Sequence, residues 1–514
     1  MTQRVFQVKV FRYNPDKDHS PYYQSFIVPY KEQMTVLDTL NHIYEYYDPT
    51  LAYRWNCRAG QCGSCAILLN GKPCLACRTQ IDPKVTSSIT PLLQFPVIKD
   101  IVVNLERGVR RLEKTRPYLE RMPQPSRPEK IKQEEIQSAK ELRKCIECWA
   151  CVSACPVITE AWQDFSGPIV MRQLARLKFD PRDVEDRVKT AFIEGVYSCT
   201  TCGTCSEVCP KSINIHGKAI EKLRAYAVDS GIGPLEGQRP LLKNIDATGK
   251  SVEKTTEPFL EKVPEIVDSS NAVDEVLFFT GCLIDYRMQE SGMNVLKVLQ
   301  ACGVKTYLPK GQSCCGSPAF RIGKLDLAER QARRNIELFE SLGVEKIITA
   351  CAGCGMTMKK NYPEISQKLM ERPLGFKVYD FTEYLVKELG LERLRRILRR
   401  SVDLTVTWHD PCHLKRGQGI TEEPLSVIRS ISGLKVLEMK DVGRCCGSGG
   451  GVRAGKRPLS MAMGRRLGEL IVGTQADLCA TECPFCTIQI KDVLKALGSE
   501  MQVANVADLL AMAM

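Results

Sequence analysis

Cysteine is the residue type that could do chemistry in this chain, and its spacing says of which kind. Residues 145–156 read CIECWACVSACP and residues 199–210 read CTTCGTCSEVCP, two copies of C-x2-C-x2-C-x3-C-P. Thiolate sulfur is a soft ligand, and this is the bacterial pattern for two four-iron cubes, in which the fourth cysteine of each run ligates the other cube. The expected sets are Cys145, Cys148, Cys151 with Cys209, and Cys199, Cys202, Cys205 with Cys155. Upstream, CRAGQCGSC sets Cys57, Cys62 and Cys65 in C-x4-C-x2-C spacing, with Cys77 further on, the plant-type pattern for a two-iron cluster. Cys74 falls outside that set and reads as a small buried thiol beside the site, with a substitute ligand as the other reading. Any C-x2-C could hold zinc, but the repeated C-x3-C-P argues for cubes.

A third group of cysteines repeats at longer range. Cys282, the pair Cys314–Cys315 before Gly316, and Cys351-x2-Cys354 recur as Cys412, the pair Cys445–Cys446 before Gly447, and Cys483-x2-Cys486, offset by 130 to 132 residues. Five thiols per copy exceed the four that one zinc or one ordinary cube takes. The surplus leaves a cluster of unusual nuclearity or geometry, or four ligands and a reactive thiol. Adjacent cysteines on regular structure point apart, so each CCG belongs on a turn. Cys302 and Cys479 lie outside the pattern and read as buried structural thiols. His409 and His413 flank Cys412, where histidine more often hydrogen-bonds around a metal site than ligates it.

Several elements must position these residues. Residues 5–11 alternate in strand fashion, with Phe6, Val8 and Val10 on one face, and Ser25–Tyr30 is a second strand. Thr35 caps a helix running to Tyr47, and AILLNGKPC turns at Asn70–Gly71. Residues 107–132 carry nine Lys/Arg against three Glu and are broken by Pro117, Pro123, Pro125 and Pro128, which reads as a solvated linker or a docking run for an acidic partner. Glu134–Lys144 is a helix delivering Cys145, and the segment between the two cube motifs is mainly helical. Residues 231–272 are polar and mark a boundary. Beyond it, short strands leading into each cysteine alternate with helices such as Leu325–Leu342 and Ser460–Ile471, which predicts parallel α/β sheets with cysteines at the carboxyl ends of strands. Leu385–Arg400 is basic and amphipathic, either a surface helix joining the two copies or a membrane-surface helix.

Composition narrows the class. A chain of 514 residues with 44% hydrophobic content spans several domains, and 25 cysteines behind a start lacking a signal-peptide pattern point to metal ligation in a reducing compartment. No apolar run reaches the roughly 18 residues that span a bilayer. The net charge of +12 comes without a nucleic-acid-binding motif. No G-x-G-x-x-G follows a strand, so the chain shows no flavin fingerprint of its own.

Residues 1 to about 230, through CRAGQCGSC, LNGKPCLACRT, the two cube motifs and DFSGP, resemble the iron–sulfur subunits of succinate dehydrogenases and fumarate reductases. Common members lack a usable cysteine where Cys202 stands and carry tryptophans where Val157–Glu160 stand; the resemblance therefore implies a full second cube and an altered quinone site. Residues from about 270 resemble the heterodisulfide reductase B-subunit family through TGC, SCCGS, CAGC, HDPCHLKRG, RCCGSGG and ECPFC. That resemblance implies a noncubane four-iron cluster on Cys282, Cys314, Cys315, Cys351 and Cys354, and another on Cys412, Cys445, Cys446, Cys483 and Cys486.

The implied fold is multidomain, α+β and α/β. Residues 1–112 form a β-grasp 2Fe-2S ferredoxin domain and 130–232 a helical domain for two 4Fe-4S cubes. Residues 272–390 and 401–514 form two repeated α/β cysteine-rich (CCG) domains. The implied function is electron transfer between a thiol/disulfide couple, such as coenzyme M and coenzyme B, at one or two noncubane clusters and FAD on a flavoprotein partner that interconverts fumarate and succinate. The alternatives are the same wire coupled to menaquinone at the inner face of the cell membrane, and a zinc-binding assembly module. The expected location is the cytoplasm.

Overall fold

The computed structural model describes residues 4–122, 128–269 and 271–514; Pro123 and Pro125 lie outside them. The chain divides into two compact units, residues 1–196 with 203–223, and residues 197–202 with 224–514.

In the first unit, β1 (Val5–Arg12), β2 (Tyr22–Pro29), β3 (Ala66–Leu69), β4 (Lys72–Leu75) and β5 (Ser87–Thr90) form one sheet in the order β2-β1-β5-β3-β4. A parallel β1–β5 pair sits among antiparallel neighbours, the β-grasp arrangement expected from the sequence. Phe6, Val8 and Val10 bury one face of β1 against the helix Val36–Tyr46. Thr35 caps that helix in a reciprocal bond with Asp38. Asn70 and Gly71, at φ 50° and 77°, make the two-residue turn between β3 and β4. A small hairpin of β6 (Val97–Lys99) and β7 (Val102–Val103) follows. The proposed linker is helical at its start: Glu106–Lys114 packs Leu112 inward, ahead of the first of its prolines. The rest of this unit is helical.

The second unit holds two sheets of matching order. β8 (Ile266–Val267), β9 (Asp274–Phe278), β10 (Val304–Tyr307), β11 (Lys346–Thr349) and β12 (Lys377–Asp380) run β12-β11-β9-β10-β8, parallel except for β8 at the edge. β13 (Thr405–Trp408), β14 (Lys435–Leu437), β15 (Leu478–Ala480) and β16 (Gln502–Ala504) run β14-β13-β15-β16, all parallel. Helices of each half pack on the other. Ala352–Lys360 lies against Cys412–Gln418, and Gln289–Ala301 against Val506–Ala513, where Ser291 and Asn294 donate to Asp508 at 3.0 and 2.9 Å.

Two sequence expectations are corrected here. Residues 231–272 are not a bare boundary: they fold as helices Arg239–Thr248 and Phe259–Lys262 and strand β8 within the second unit. The basic segment Leu385–Arg400 is broken at Gly390, and Leu385 and Leu394 are buried in the core that Leu391 and Leu398 pack against. Its apolar stripe is consumed inside the protein, which removes the observation that suggested a membrane-surface helix. No helix among the described residues is long and apolar enough to cross a membrane.

Arg224, fully buried, ties the second unit together by donating to the carbonyls of Arg321, Gly450 and Cys199 at 2.7, 2.9 and 2.6 Å. Arg224→Met leaves these acceptors buried without a donor. It is expected to cost about 3 kcal/mol of stability in denaturant unfolding of the metal-loaded chain; an unchanged midpoint would contradict that role.

Candidate metal centres

The two cube motifs share a backbone device. Glu147 and Trp149 in the first, and Thr201 and Gly203 in the second, hold φ of 53°, 64°, 53° and 78° at equivalent stations. A β-branched residue such as Thr201 rarely adopts positive φ. The turn it makes aims its amide at Cys199 Sγ at 3.3 Å, as Glu147 aims its amide at Cys145 Sγ at 3.4 Å. Cys145, Cys148, Cys151 and Cys209 line one small enclosed cavity in the first unit with Trp149, Ile169 and Ile213.

The Cys57–Cys65 loop is built the same way. Ala59 and Gln61 donate amides to Cys57 Sγ at 3.4 and 3.3 Å, and Ser64 first among its neighbours holds the Cys62 thiol down to about 6, whereas burial pushes Cys65 up to about 12. Cys57 and Cys62 are exposed, so this edge of the unit is open to a partner. Inward, Gly63 at φ 73° sits directly on the first cube motif: a Cβ there would lie 2.7 Å from the Ile146 carbonyl oxygen and 3.0 Å from Cys148 Cα. Cys151 and Cys205 are electrostatic neighbours further along the same unit. Cys74, half-buried on β4, packs against the domain core.

In the second unit both repeats deliver their thiols from equivalent places. Cys282 and Cys412 open helices after β9 and β13, and Cys351 and Cys483 stand at the caps of helices after β11 and β15. Helix N-termini favour thiolate. Each CCG turn is closed by its glycine, Gly316 at φ 85° and Gly447 at φ 87°. The two sets face one cavity of about 360 Å³. Nine of the ten repeat cysteines line it, and Cys445 alone does not. Cys445 turns instead to the Tyr197–Cys202 segment of the same unit: it donates to Thr200 Oγ1 at 3.5 Å, and its thiol interacts with those of Cys202, Cys412 and Cys446. Cys351 and Cys483, one from each set, share a hydrogen bond across the cavity. Cys302 and Cys479 are buried in the hydrophobic core and do not line the cavity.

The thiols alternate in character. Hydrogen bonding from Cys351, then Cys486, holds Cys483 well below the usual thiol range, while Cys314, then burial, pushes Cys282 well above it. Crowded buried thiols cannot all ionise together unless cations join them, and coordination by metal deprotonates them outright. A soft thiolate donor set of this kind fits a metal such as iron. His409 adjoins it. It is fully buried, with neither ring nitrogen hydrogen-bonded among the described residues, and a ring nitrogen lies within 4.8 Å of Cys446 Sγ and Cys486 Sγ. Burial keeps the imidazole neutral, its pKa down to about 4. His413 lines the cavity.

Several site residues were missed from sequence. Lys250, paired with Asp285 at 2.8 Å, and Ser251, whose amide donates to Cys282 Sγ at 3.3 Å, come from the segment read as a boundary. Arg321, Arg453 and Arg457, the last two paired with Asp492, line the cavity beside its cysteines and aliphatic side chains such as Leu283, Ile284, Ile322 and Ile488. Cysteine spacing carries no signal for any of them.

The fold and the clustered thiols define a multi-cluster iron–sulfur protein of electron transfer. Three family descriptions match: a 2Fe-2S iron-sulfur cluster binding domain over residues 7–110, a 4Fe-4S dicluster domain over 141–213, and a cysteine-rich domain twice, over 276–359 and 406–491. The chain is 42% identical over 510 residues to a subunit of the fumarate reductase (CoM/CoB) of Methanothermobacter marburgensis, covering 99% of each. It is 32% identical to a subunit of the dihydromethanophenazine:CoB–CoM heterodisulfide reductase of Methanosarcina barkeri, over 73% of this chain and 94% of that one. It is 34% identical to the fumarate reductase iron-sulfur subunit of Haemophilus influenzae, over 44% of this chain and 95% of that one. The chain belongs to the family of fumarate reductase iron–sulfur subunits that continue into heterodisulfide reductase-like cysteine-rich domains.

Gly63→Ala is expected to strain the junction between the two-iron loop and the first cube motif, at about 1–3 kcal/mol. The predicted result is lower two-iron content with the cubes retained, read by iron and acid-labile sulfide analysis with EPR. Full two-iron content would rule this out.

Proposed function

We propose that this chain is the iron–sulfur subunit of a thiol-linked fumarate reductase, exchanging electrons between a thiol/disulfide couple such as coenzyme M and coenzyme B and FAD on a flavoprotein partner. The observation that carries the reading is the cavity of about 360 Å³ shared by both repeat sets, with nine cysteines on its walls. The name of the Methanothermobacter relative joins the same two halves of the reaction.

The proposed ligands are Cys57, Cys62, Cys65 and Cys77 for a 2Fe-2S cluster, and Cys145, Cys148, Cys151, Cys209 and Cys199, Cys202, Cys205, Cys155 for two 4Fe-4S cubes. The repeat sets Cys282, Cys314, Cys315, Cys351, Cys354 and Cys412, Cys445, Cys446, Cys483, Cys486 are proposed for two noncubane clusters. When bound, these clusters supply one-electron transfer. The chain's own residues do the remainder. Backbone amides of Gln61, Glu147, Thr201, Ser251 and Gly447 point at ligand sulfurs and stabilise their negative charge. The contacts of Gly63 with Cys148, Cys151 with Cys205, Cys202 with Cys445, and Cys483 with Cys351 keep successive ligand sets next to one another. The aliphatic wall excludes water from two bound thiols, and Arg321, Arg453 and Arg457 can pair their anionic groups. The overall change balances. Two thiols lose two protons and two electrons as one S–S bond forms, and fumarate takes up both on the partner to give succinate.

The experiment is turnover of the purified complex with its flavoprotein, supplied with coenzyme M and coenzyme B thiols and fumarate. The expected result is mixed disulfide and succinate in equal amounts. Reduction of fumarate by menaquinol with no disulfide formed overturns the thiol reading, and zinc in place of iron in the repeat overturns the whole.

A further inference from the structure

The two cysteine sets come from one repeated unit, yet the structure sets one difference against them. His409 donates its backbone amide to the Ala480 carbonyl at 2.9 Å, and Phe279 donates its own to the Ile348 carbonyl at 2.8 Å. The four residues are equivalent by the repeat, three positions before Cys412 and Cys282 and before Cys483 and Cys351. The same backbone station thus carries an imidazole in the second half and a phenyl ring in the first. Phe279 is buried and stacks edge-on against Phe339 at 5.8 Å, and a Cβ on Gly281 would touch both its ring and Cys354 Sγ. His409 is equally buried, but its two ring nitrogens find no protein partner among the described residues, and one lies within 4.8 Å of the sulfurs of Cys446 and Cys486, themselves 3.3 Å apart. An unpartnered buried N–H costs free energy comparable to a lost hydrogen bond, so this ring is held for something at those sulfurs.

We propose that His409 is a positioning residue of the second cluster: its ring N–H hydrogen-bonds to sulfur at the Cys446–Cys486 side, stabilises the reduced, more negative state, and makes the second cluster easier to reduce than the first. The inference rests on the cluster assignment made above. Hydrogen bonds to cluster sulfurs are among the factors that set iron–sulfur potentials. A phenyl ring at the equivalent station supplies none. The second set is also the one whose Cys445 meets Cys202. The more easily reduced site would then stand between the cube motif and the first set, ordering two otherwise alike centres along the path.

The test is an EPR-monitored redox titration of the whole complex carrying wild-type chain, His409→Phe or His409→Gln, with iron and acid-labile sulfide measured on each. In His409→Phe the reduced-to-oxidised ratio of one repeat-domain cluster at fixed potential is expected to fall at least fivefold while the other stays within twofold. His409→Gln keeps an N–H and is expected to stay within threefold of wild type. A smaller change in His409→Phe, equal movement of both clusters, or a glutamine variant shifted as far as phenylalanine overturns the proposal. If His409→Phe loses iron, pulsed EPR of wild type with 15N-labelled histidine decides. Weak coupling to one imidazole nitrogen supports the hydrogen bond; no coupling, or coupling strong enough for direct iron–nitrogen bonding, overturns it. Absence of any repeat-domain cluster signal from wild type would overturn the cluster assignment instead.

Discussion

Mutual repulsion among crowded thiolates is the constraint on which the second unit depends. Nine sulfurs share the wall of one cavity, and all nine cysteines are buried, so water cannot screen them. Left to themselves they divide protons unevenly, some thiols pushed up and others held down by their neighbours. Helix N-termini and amides aimed at sulfur lessen the problem and do not remove it. Cations remove it. A site of this kind is a fold whose local geometry is set in advance and whose charge is completed only by metal, which couples metal binding to stability.

Duplication explains how two such sites come to face each other. Each half holds four parallel strands, joined in the first half by antiparallel β8 at the edge, with cysteines at the carboxyl ends of the strands, where α/β folds gather ligands. Each half also leaves helices that need cover, and each uses the other to provide it. Ala352–Lys360 and Cys412–Gln418, the helices next to cysteines of opposite halves, pack together. Thr382, from the first half, donates both its amide and its hydroxyl to Glu482, the residue before Cys483. The two cysteine sets are therefore brought face to face by the same contacts that bury the two hydrophobic faces.

Much of this was legible in the sequence because the informative signals are local. The Thr35 cap, the Asn70–Gly71 turn and the strand ahead of each repeat cysteine all act within a few residues, and each appears where the pattern puts it. What was not legible depends on distant partners. The leucine stripe of residues 385–398 declares an apolar face but not what covers it, and the answer is the core. Residues 231–272 read as polar because charged, amide and hydroxyl side chains outnumber the apolar ones, yet Phe259 and Leu260 are buried and Ser251 reaches Cys282. His409 lies 37 residues from Cys446 and 77 from Cys486, so their meeting belongs to sheet order and not to spacing.

The division of the chain into units is not a division of the sequence into two blocks. Six residues, Tyr197–Cys202, belong to the second unit although the residues on either side belong to the first. They are held there by Arg224 on the Cys199 carbonyl and by Tyr197, whose hydroxyl donates to the Ile322 carbonyl at 3.1 Å. No single cut can separate the units intact, since a break after residue 223 would strand this hexapeptide on the wrong piece.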